Sequence, residues 1–160
     1  MNLGGWAIGE KLYKWIVDHI PSSYKILELG SGTGSSKLGE TYDITCVEHD
    51  KKWVDKYDNI NYVYAPIVDG WYDRKVIDTL PNDHFLLLID GPPGRIGRSG
   101  VLDYVEQLAS NKIVIVDDVH RDAEAALLLN LWTELGGESK VKMIEDGTKR
   151  FGVIYYGTLS

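Results

Sequence analysis

Three glycines at alternate positions, Gly30, Gly32 and Gly34, directly follow the short apolar segment 26–29. Glycine has no Cβ and tolerates positive φ, so a bulky ligand can lie against the main chain at such a turn. Glu48 ends the next apolar segment. An acid at the tip of a second strand is typical of a site that holds a ribose by its two hydroxyls. The pattern predicts a nucleoside-binding turn, although the glycines alone also fit a tight strand-to-helix connection.

Aspartates stand where two further apolar segments end. Asp90 follows the segment 84–89, and Asp117 and Asp118 follow the segment 113–116. Parallel strands lie about 4.8 Å apart and their carboxyl ends meet at one edge of a sheet, so these carboxylates should converge. They would repel one another unless a cation or a basic side chain lay between them. The spacing predicts a site for a hard divalent ion such as Mg²⁺ or Mn²⁺. Helix capping and turn hydrogen bonds by the same aspartates are the structural alternative.

Further polar residues lie in the loops after these two segments. His120, two residues beyond the acid pair, is a candidate general base or an extra metal ligand. Arg95, Arg98 and Arg121 are three of the five arginines in the chain. Gathered at one edge of the sheet, they would bind an anionic acceptor such as a phosphate, a uronate or a carboxylate. Solvated surface positions are the alternative for His120 and for the arginines.

The chain resembles the class I S-adenosylmethionine-dependent methyltransferases. Residues 27–34, Leu-Glu-Leu-Gly-Ser-Gly-Thr-Gly, are similar to their first motif, and Val47-Glu48-His49-Asp50 is similar to their ribose-binding segment. The acids at the strand ends resemble more closely those of metal-dependent O-methyltransferases that modify catechols and sugars. Asp90 and His120 are the candidate catalytic residues, and that resemblance implies Asp90, Asp117 and Asp118 as metal ligands. It also implies cofactor contacts from Glu28, Gly30, Ser31, Gly32, Thr33, Gly34, Glu48, His49 and Asp90.

The periodicity predicts an α/β fold of seven strands. Strands are expected at 26–29, 44–47, 60–68, 84–89, 113–116, 140–144 and 151–156. Helices are expected at 6–20, 36–40, 51–57, 101–109 and 122–135. A turn is expected at 70–73, followed by a weak helix through Val76, Ile77 and Leu80. A short turn joins the last two strands, so the final strand should run antiparallel to its neighbour. The resemblance implies a Rossmann-like, mostly parallel sheet in the order 3-2-1-4-5-7-6, with helices on both faces.

The length of 160 residues predicts one domain over residues 1–160. Residues 1–22 are expected to form an N-terminal helix and a partial lid, with Trp6 and Gly4-Gly5 near the pocket mouth. Residues 23–160 are expected to form the cofactor-binding core.

The chain is acidic, with 17 basic and 24 acidic residues and a net charge of −7. Tracking a nucleic-acid backbone needs a basic surface, so no nucleic-acid partner is expected. The single Cys46 lies in an apolar strand, which indicates a buried small hydrophobe and a reducing compartment. No apolar run approaches membrane-spanning length, and no signal-peptide pattern is present. We therefore expect a cytoplasmic protein without a membrane partner, and a homodimer is left open.

These patterns predict S-adenosylmethionine-dependent methyl transfer to a hydroxyl of a small molecule or a saccharide, with a divalent metal as an assisting group. Two alternatives stay open. One is a metal-independent O- or N-methyltransferase with His120 as the base. The other is a non-catalytic module that binds S-adenosylmethionine. A nicotinamide-dependent oxidoreductase is disfavoured because Ser35 stands where a dinucleotide fingerprint has its third glycine.

Overall fold

A seven-stranded sheet organises the computed structural model of the chain, which describes residues 8–157. Two further strands, the fourth and fifth in the chain, form a separate small hairpin. In chain order the strands are β1 (Ile26–Leu29), β2 (Ile44–Glu48), β3 (Asn61–Tyr64), β4 (Ile67–Val68), β5 (Trp71–Tyr72), β6 (Leu86–Ile89), β7 (Ile113–Val116), β8 (Lys140–Asp146) and β9 (Lys149–Tyr155).

The order of the strands in the main sheet is β3-β2-β1-β6-β7-β9-β8. With the small hairpin set aside, this is the predicted order 3-2-1-4-5-7-6, and the predicted fold class is confirmed. Strand β9 runs antiparallel to both β7 and β8, while the pairs from β3 to β7 are parallel. The register aligns Leu29 with Val47 and with Ile89, and Ile89 with Val116. The carboxyl ends of four central strands are therefore level at one edge.

Alternate residues of the central strands point into two separate apolar clusters. One cluster takes Leu29, Ile89 and Val116, and the other takes Leu88 and Ile115 from the opposite face. All five side chains are fully buried. A central parallel strand is covered on both faces, which is why 84–89 and 113–116 read as continuous apolar runs.

Helices cover both faces of the sheet. They are α1 (Glu10–His19), α2 (Thr33–Gly39), α3 (Arg74–Ile77) and α4 (Asp122–Glu134). Leu12 and Ile16 of α1 and Leu38 of α2 enter one apolar cluster, while Ile77 of α3 and Leu128 of α4 enter the other. No helix in the span from residue 8 to residue 157 is both long and apolar enough to cross a membrane.

Several predicted elements have different bounds or a different form. The first helix begins at Glu10 rather than at residue 6. Trp6 and Gly4-Gly5, the proposed lid residues, lie outside the described residues. The predicted strand 60–68 is divided at Pro66, because proline lacks the N–H that a sheet ladder needs. Its second part, Ile67–Val68, pairs instead with Trp71–Tyr72, a segment that the sequence assigned to a turn.

Two predicted helices do not form as ordinary α-helices. Residues 51–57 form successive turns, in which Trp53 N–H donates to the carbonyl of Asp50 and Lys56 N–H donates to that of Trp53. Asp55 has φ +60°, a left-handed conformation that stops a right-handed helix. The segment predicted at 101–109 is a 3-10 helix, Ser99–Tyr104, followed by a π-helical turn, Val105–Ala109.

The strand edge depends on a glycine at residue 30, which gives a first prediction. Gly30 has φ +101°, and a Cβ there would lie 3.1 Å from the backbone of Asp90. Gly97 has a similar φ of +99° but nothing within 4 Å of an added Cβ. Both Gly30→Ala and Gly97→Ala should lose about 1–3 kcal/mol from backbone strain. In urea unfolding, we expect Gly30→Ala to lose at least about 1 kcal/mol more, because it adds a steric overlap. Equal losses at the two positions would contradict the close approach of β1 and β6.

Candidate functional site

A cavity of about 970 Å³ opens at the carboxyl edge of the sheet. Loops after β1, β2, β6 and β7 line it, together with the first turn of α4. Nine of the predicted site residues line this cavity: Gly30, Ser31, Glu48, His49, Asp90, Arg95, Arg98, Asp118 and Arg121. Six others are not among its lining residues in the described part of the chain: Glu28, Gly32, Thr33, Gly34, Asp117 and His120.

The loops after β1 and β6 touch at two glycines. Gly30 N–H donates to the carbonyl of Val47 at 2.8 Å, which extends the ladder with β2 by one residue. A Cβ on Gly91 would lie 2.9 Å from the Cα of Gly30 and 2.6 Å from the hydroxyl of Tyr72. No larger residue fits at this contact without a shift of the backbone. At the end of β1, no side chain of Gly30 or Gly91 therefore covers the backbone that lines the cavity.

Glu48 is held in one orientation at the tip of β2. Its side chain is buried but lines the cavity. The hydroxyl of Ser31 donates to Oε2 at 2.5 Å, and the N–H of Asp50 donates to Oε1 at 2.9 Å. Nδ1 of His49 lies 3.1 Å from Oε1. These contacts fix a carboxylate beside the glycine turn, with acceptor capacity left for a ligand hydroxyl.

Glu28 supports the glycine turn from behind rather than lining the cavity. The hydroxyl of Ser35 donates to its Oε2 at 2.6 Å, and the thiol of Cys46 donates to the same oxygen at 3.2 Å. The hydroxyl oxygen of Ser35 accepts from Gly32 N–H at 3.0 Å. Burial raises the pKa of the Glu28 carboxyl to about 7, against the lowering effect of the Ser35 and Cys46 hydrogen bonds. Cys46 is buried, as predicted, and its thiol is also hydrogen-bonded.

The three predicted metal ligands converge as the strand pairing requires. One carboxylate oxygen each from Asp90, Asp117 and Asp118 lies within 4.8 Å of the other two. Burial raises the pKa of Asp90 well above its ordinary value, and repulsion by Asp117 and then by Glu28 adds to the effect. The pKa of Asp117 is raised too, first by burial and then by Asp118.

Arg98 lies inside this acid cluster. Its side chain is 5% exposed, and Nη2 lies 3.1 Å from Oδ2 of Asp118 and 3.8 Å from Oδ1 of Asp90. The same guanidinium donates to the carbonyls of Asp90, Pro92 and Asp117 at 3.1–3.2 Å. The sequence predicted Arg98 as a ligand for the acceptor. In the structure its donors are directed at the protein's own oxygens, which argues against direct acceptor binding.

The acid cluster meets one requirement of a divalent ion and fails another. Three carboxylates stand close together, and Oδ1 of Asp118 is buried with no hydrogen-bond partner among the described residues. However, Asp118 and Asp90 already face a guanidinium, and Nζ of Lys149 lies 4.0 Å from Oδ1 of Asp118. An ion on the same oxygens would be repelled by two neighbouring cations. The residues therefore fit a cation supplied by the protein rather than a resident metal.

Two of the predicted cations stand at the rim of the cavity. Arg95 is exposed and has no acidic partner in the described chain. Arg121 is about half exposed and reaches Asp118 at 3.5 Å and Glu124 at 3.9 Å. His120 is exposed as well, and its Nδ1 accepts the N–H of Arg150 at 3.3 Å.

Ten residues of the cavity wall were not predicted as site residues, and four of these ten have large polar or aromatic side chains. Glu124 is buried in the first turn of α4, 4.0 Å from Nε of Arg98. Tyr72 is buried, and its hydroxyl has no partner within residues 8–157. Lys149 and Trp53 complete the set. An acid in a helix's first turn is an ordinary dipole partner, so nothing in the sequence marks Glu124. Tyr72 was hidden because its segment was assigned to a turn.

The strand order, the reversed strand β9 and a cavity at the carboxyl ends of the parallel strands define the Rossmann-like fold of the class I methyltransferases. Solved methyltransferases share this fold with the chain. One from Pyrococcus furiosus is 15% identical, with a TM-score of 0.59 over 91% of this chain and 81% of that one.

Two others extend the comparison. The methyltransferase PaMTH1 of Podospora anserina, solved with S-adenosylhomocysteine bound, is 15% identical, with a TM-score of 0.56 over 92% of this chain and 77% of that one. The tRNA methyltransferase TrmK of B. subtilis is 11% identical, with a TM-score of 0.59 over 98% and 68%. No family model and no curated protein matches the sequence. At these identities the likeness establishes the fold.

The raised pKa of Glu28 makes stability depend on pH. The folded state holds the Glu28 proton up to about pH 7, whereas the ordinary pKa is 4.5. Folded chains therefore bind more protons than unfolded chains between these values, and stability falls as pH rises through that window. The full loss is on the order of 3 kcal/mol. Glu28→Gln should remove this pH-dependent loss of stability. In urea unfolding, the free energy of unfolding of the variant should therefore rise relative to that of the native chain from pH 5 to pH 8. A constant difference across that range would refute the assignment.

Proposed function

We propose that this chain binds S-adenosylmethionine at the 30–34 turn and transfers its methyl group to a hydroxyl of a small molecule or a saccharide. The observation that supports this most directly is the orientation of Glu48. Its carboxylate is fixed by Ser31 and Asp50 and faces the cavity beside the bare backbone of Gly30. A ribose with two vicinal hydroxyls fits an acceptor of this kind, with the rest of the nucleoside against the neighbouring peptide groups.

The roles of the residues follow from their positions. Bound S-adenosylmethionine supplies an electrophilic methyl group on a sulfonium. Glu48 holds the ribose, and His49 and Trp53 flank the base, since both line the cavity and follow Glu48 closely in the chain. Gly30 and Gly91 leave room for the cofactor to lie against the chain. Little covalent help is needed for an in-line transfer, so the protein's main contribution is to hold the acceptor oxygen against the methyl carbon.

Asp90 is the residue best suited to receive the acceptor's proton. It lines the cavity at the end of β6, and burial raises the pKa of its carboxyl well above the ordinary value. In its deprotonated form, a carboxylate whose pKa is raised is a stronger base toward a hydroxyl than an ordinary carboxylate. The alternative base is His120, which is exposed and whose Nδ1 is engaged by the backbone of Arg150. The geometry therefore favours Asp90.

An anionic acceptor is favoured by the rim of the cavity. Arg95 has no acidic partner in the described range, and Arg121 is about half exposed. Both line the cavity, where their guanidinium groups would hold a phosphate, a uronate or a carboxylate. The net charge of −7 and the small number of rim cations argue against a long nucleic-acid acceptor.

A non-catalytic module that binds the cofactor is the second candidate function. It differs from the first in one respect that can be measured. An enzyme releases S-adenosylhomocysteine when a suitable acceptor is present, and a binding module does not. A panel of sugar phosphates, uronates, catechols and aromatic carboxylates, assayed for S-adenosylhomocysteine release, separates the two. Tight cofactor binding with no turnover on that panel would support the module.

Glu48→Gln tests the proposed ribose contact. Two hydrogen bonds to a charged group are worth about 1.5 kcal/mol each, so S-adenosylhomocysteine should bind about 100-fold more weakly. Isothermal titration calorimetry of the native chain and the variant measures the change. Glu134→Gln, at an exposed position of α4, is the matched control and should bind like the native chain. Affinity of Glu48→Gln within about twofold of native would overturn the proposed orientation of the cofactor.

Arg95→Gln tests the anionic acceptor. Removal of an unpaired rim cation should raise KM for an anionic acceptor by about tenfold, the worth of one charge-assisted hydrogen bond. The affinity for S-adenosylhomocysteine should stay unchanged. Arg74→Gln, which removes an arginine paired with Asp103 outside the cavity, is the control. Equal weakening of acceptor and cofactor in Arg95→Gln would argue against a specific acceptor contact.

A further inference from the structure

We propose that Arg98 is a built-in cation that takes the place of a divalent ion at the strand edge. The acid cluster of Asp90, Asp117 and Asp118 would then bind neither Mg²⁺ nor Mn²⁺. This inference rests on the proposed function only in naming the reaction, because it implies that the methyl transfer runs without a metal. The arrangement of the acids and the guanidinium stands on its own.

The contacts of the guanidinium support this role. Nη2 reaches one carboxylate oxygen of Asp118 at 3.1 Å and one of Asp90 at 3.8 Å, and Nε is 4.0 Å from Glu124. An ion bound by Asp90 and Asp118 would compete for the same carboxylates. A single cation that belongs to the chain, the guanidinium of Arg98, therefore lies beside the carboxylates of Asp90, Asp118 and Glu124.

The guanidinium also joins the two loops that supply the acids. It donates to the carbonyls of Asp90 and Pro92 after β6, and to the carbonyl of Asp117 after β7. The guanidinium presents five N–H groups in a planar fork, so it can donate to these carbonyls and to a carboxylate at the same time. Arg98 is thus a positioning residue that fixes Asp90 at the cavity wall.

Three cations of the chain already lie beside the acid cluster. The carboxyl groups are Asp90, Asp117, Asp118 and Glu124, all buried or nearly so. Arg98 lies among them, and Arg121 and Lys149 approach Asp118 from the rim at 3.5 and 4.0 Å. A divalent ion added to this set would meet three cations.

Manganese binding tests the proposal directly. Free Mn²⁺ gives a solution EPR signal that is lost on binding, so the full native chain can be titrated beside Arg98→Met and Arg98→Lys. We expect no loss of signal for the native chain or for Arg98→Lys, which keeps the charge. Arg98→Met frees the carboxylates and should bind Mn²⁺ at least about tenfold more tightly than the native chain. Adding Asp118→Asn to Arg98→Met should abolish that gain.

Each result supports the proposal or overturns it. Stoichiometric binding of Mn²⁺ by the native chain, lost in Asp118→Asn, would overturn it. So would a folded Arg98→Met chain that gains no affinity. If Arg98→Met does not fold, as judged by circular dichroism, the titration of the native chain decides alone. An unchanged EPR signal of free Mn²⁺ supports the built-in cation, and a loss of that signal on binding refutes it. Calorimetry with S-adenosylhomocysteine on the same native sample is independent, because its failure would end the proposed function and leave the Mn²⁺ result standing.

Discussion

Parallel pairing of β1, β2, β6 and β7 is the constraint from which the rest of the structure follows. The register brings Leu29, Val47, Ile89 and Val116 level with one another. The residues that follow them therefore lie side by side along one edge of the sheet. Where the loops after β1 and β6 touch, neither loop has room for a side chain at the point of contact. Gly30 and Gly91 meet that steric limit, since a Cβ on either one would overlap the other loop.

The same pairing gathers charge, and the chain neutralises it in two ways. Acids near the cofactor turn are stabilised by uncharged donors: Ser31 and the Asp50 N–H for Glu48, and Ser35 for Glu28. Acids after β6 and β7 are stabilised by a guanidinium instead. The donors around Glu48 leave acceptor capacity on its negatively charged carboxylate for a ligand. The buried guanidinium of Arg98 offsets the negative charge of Asp90 and Asp118. The acids near the glycine turn and the acids after β6 and β7 therefore have different electrostatic surroundings.

Most of the fold was predictable because its signals are local. The strands 26–29 and 113–116 were predicted with their observed bounds, since both are short apolar runs ended by Gly30 and by Asp117. The reversed last strand followed from a turn too short for a crossover. The hairpin of β4 and β5 was missed because two-residue strands have no periodicity to detect. The convergence of Asp90, Asp117 and Asp118 also followed from strand pairing alone, without any knowledge of the loops.

What could not be predicted is the path of a loop that turns back on itself. Arg98 is eight residues beyond Asp90 in the chain, and nothing local indicates whether its side chain points to solvent or to the sheet. Its burial depends on three carbonyls that only the folded loops bring together. A sequence shows that acids at a strand edge need a cation. Whether an ion or an arginine meets that need depends on tertiary contacts, and fold likeness at 10–18% identity does not decide it.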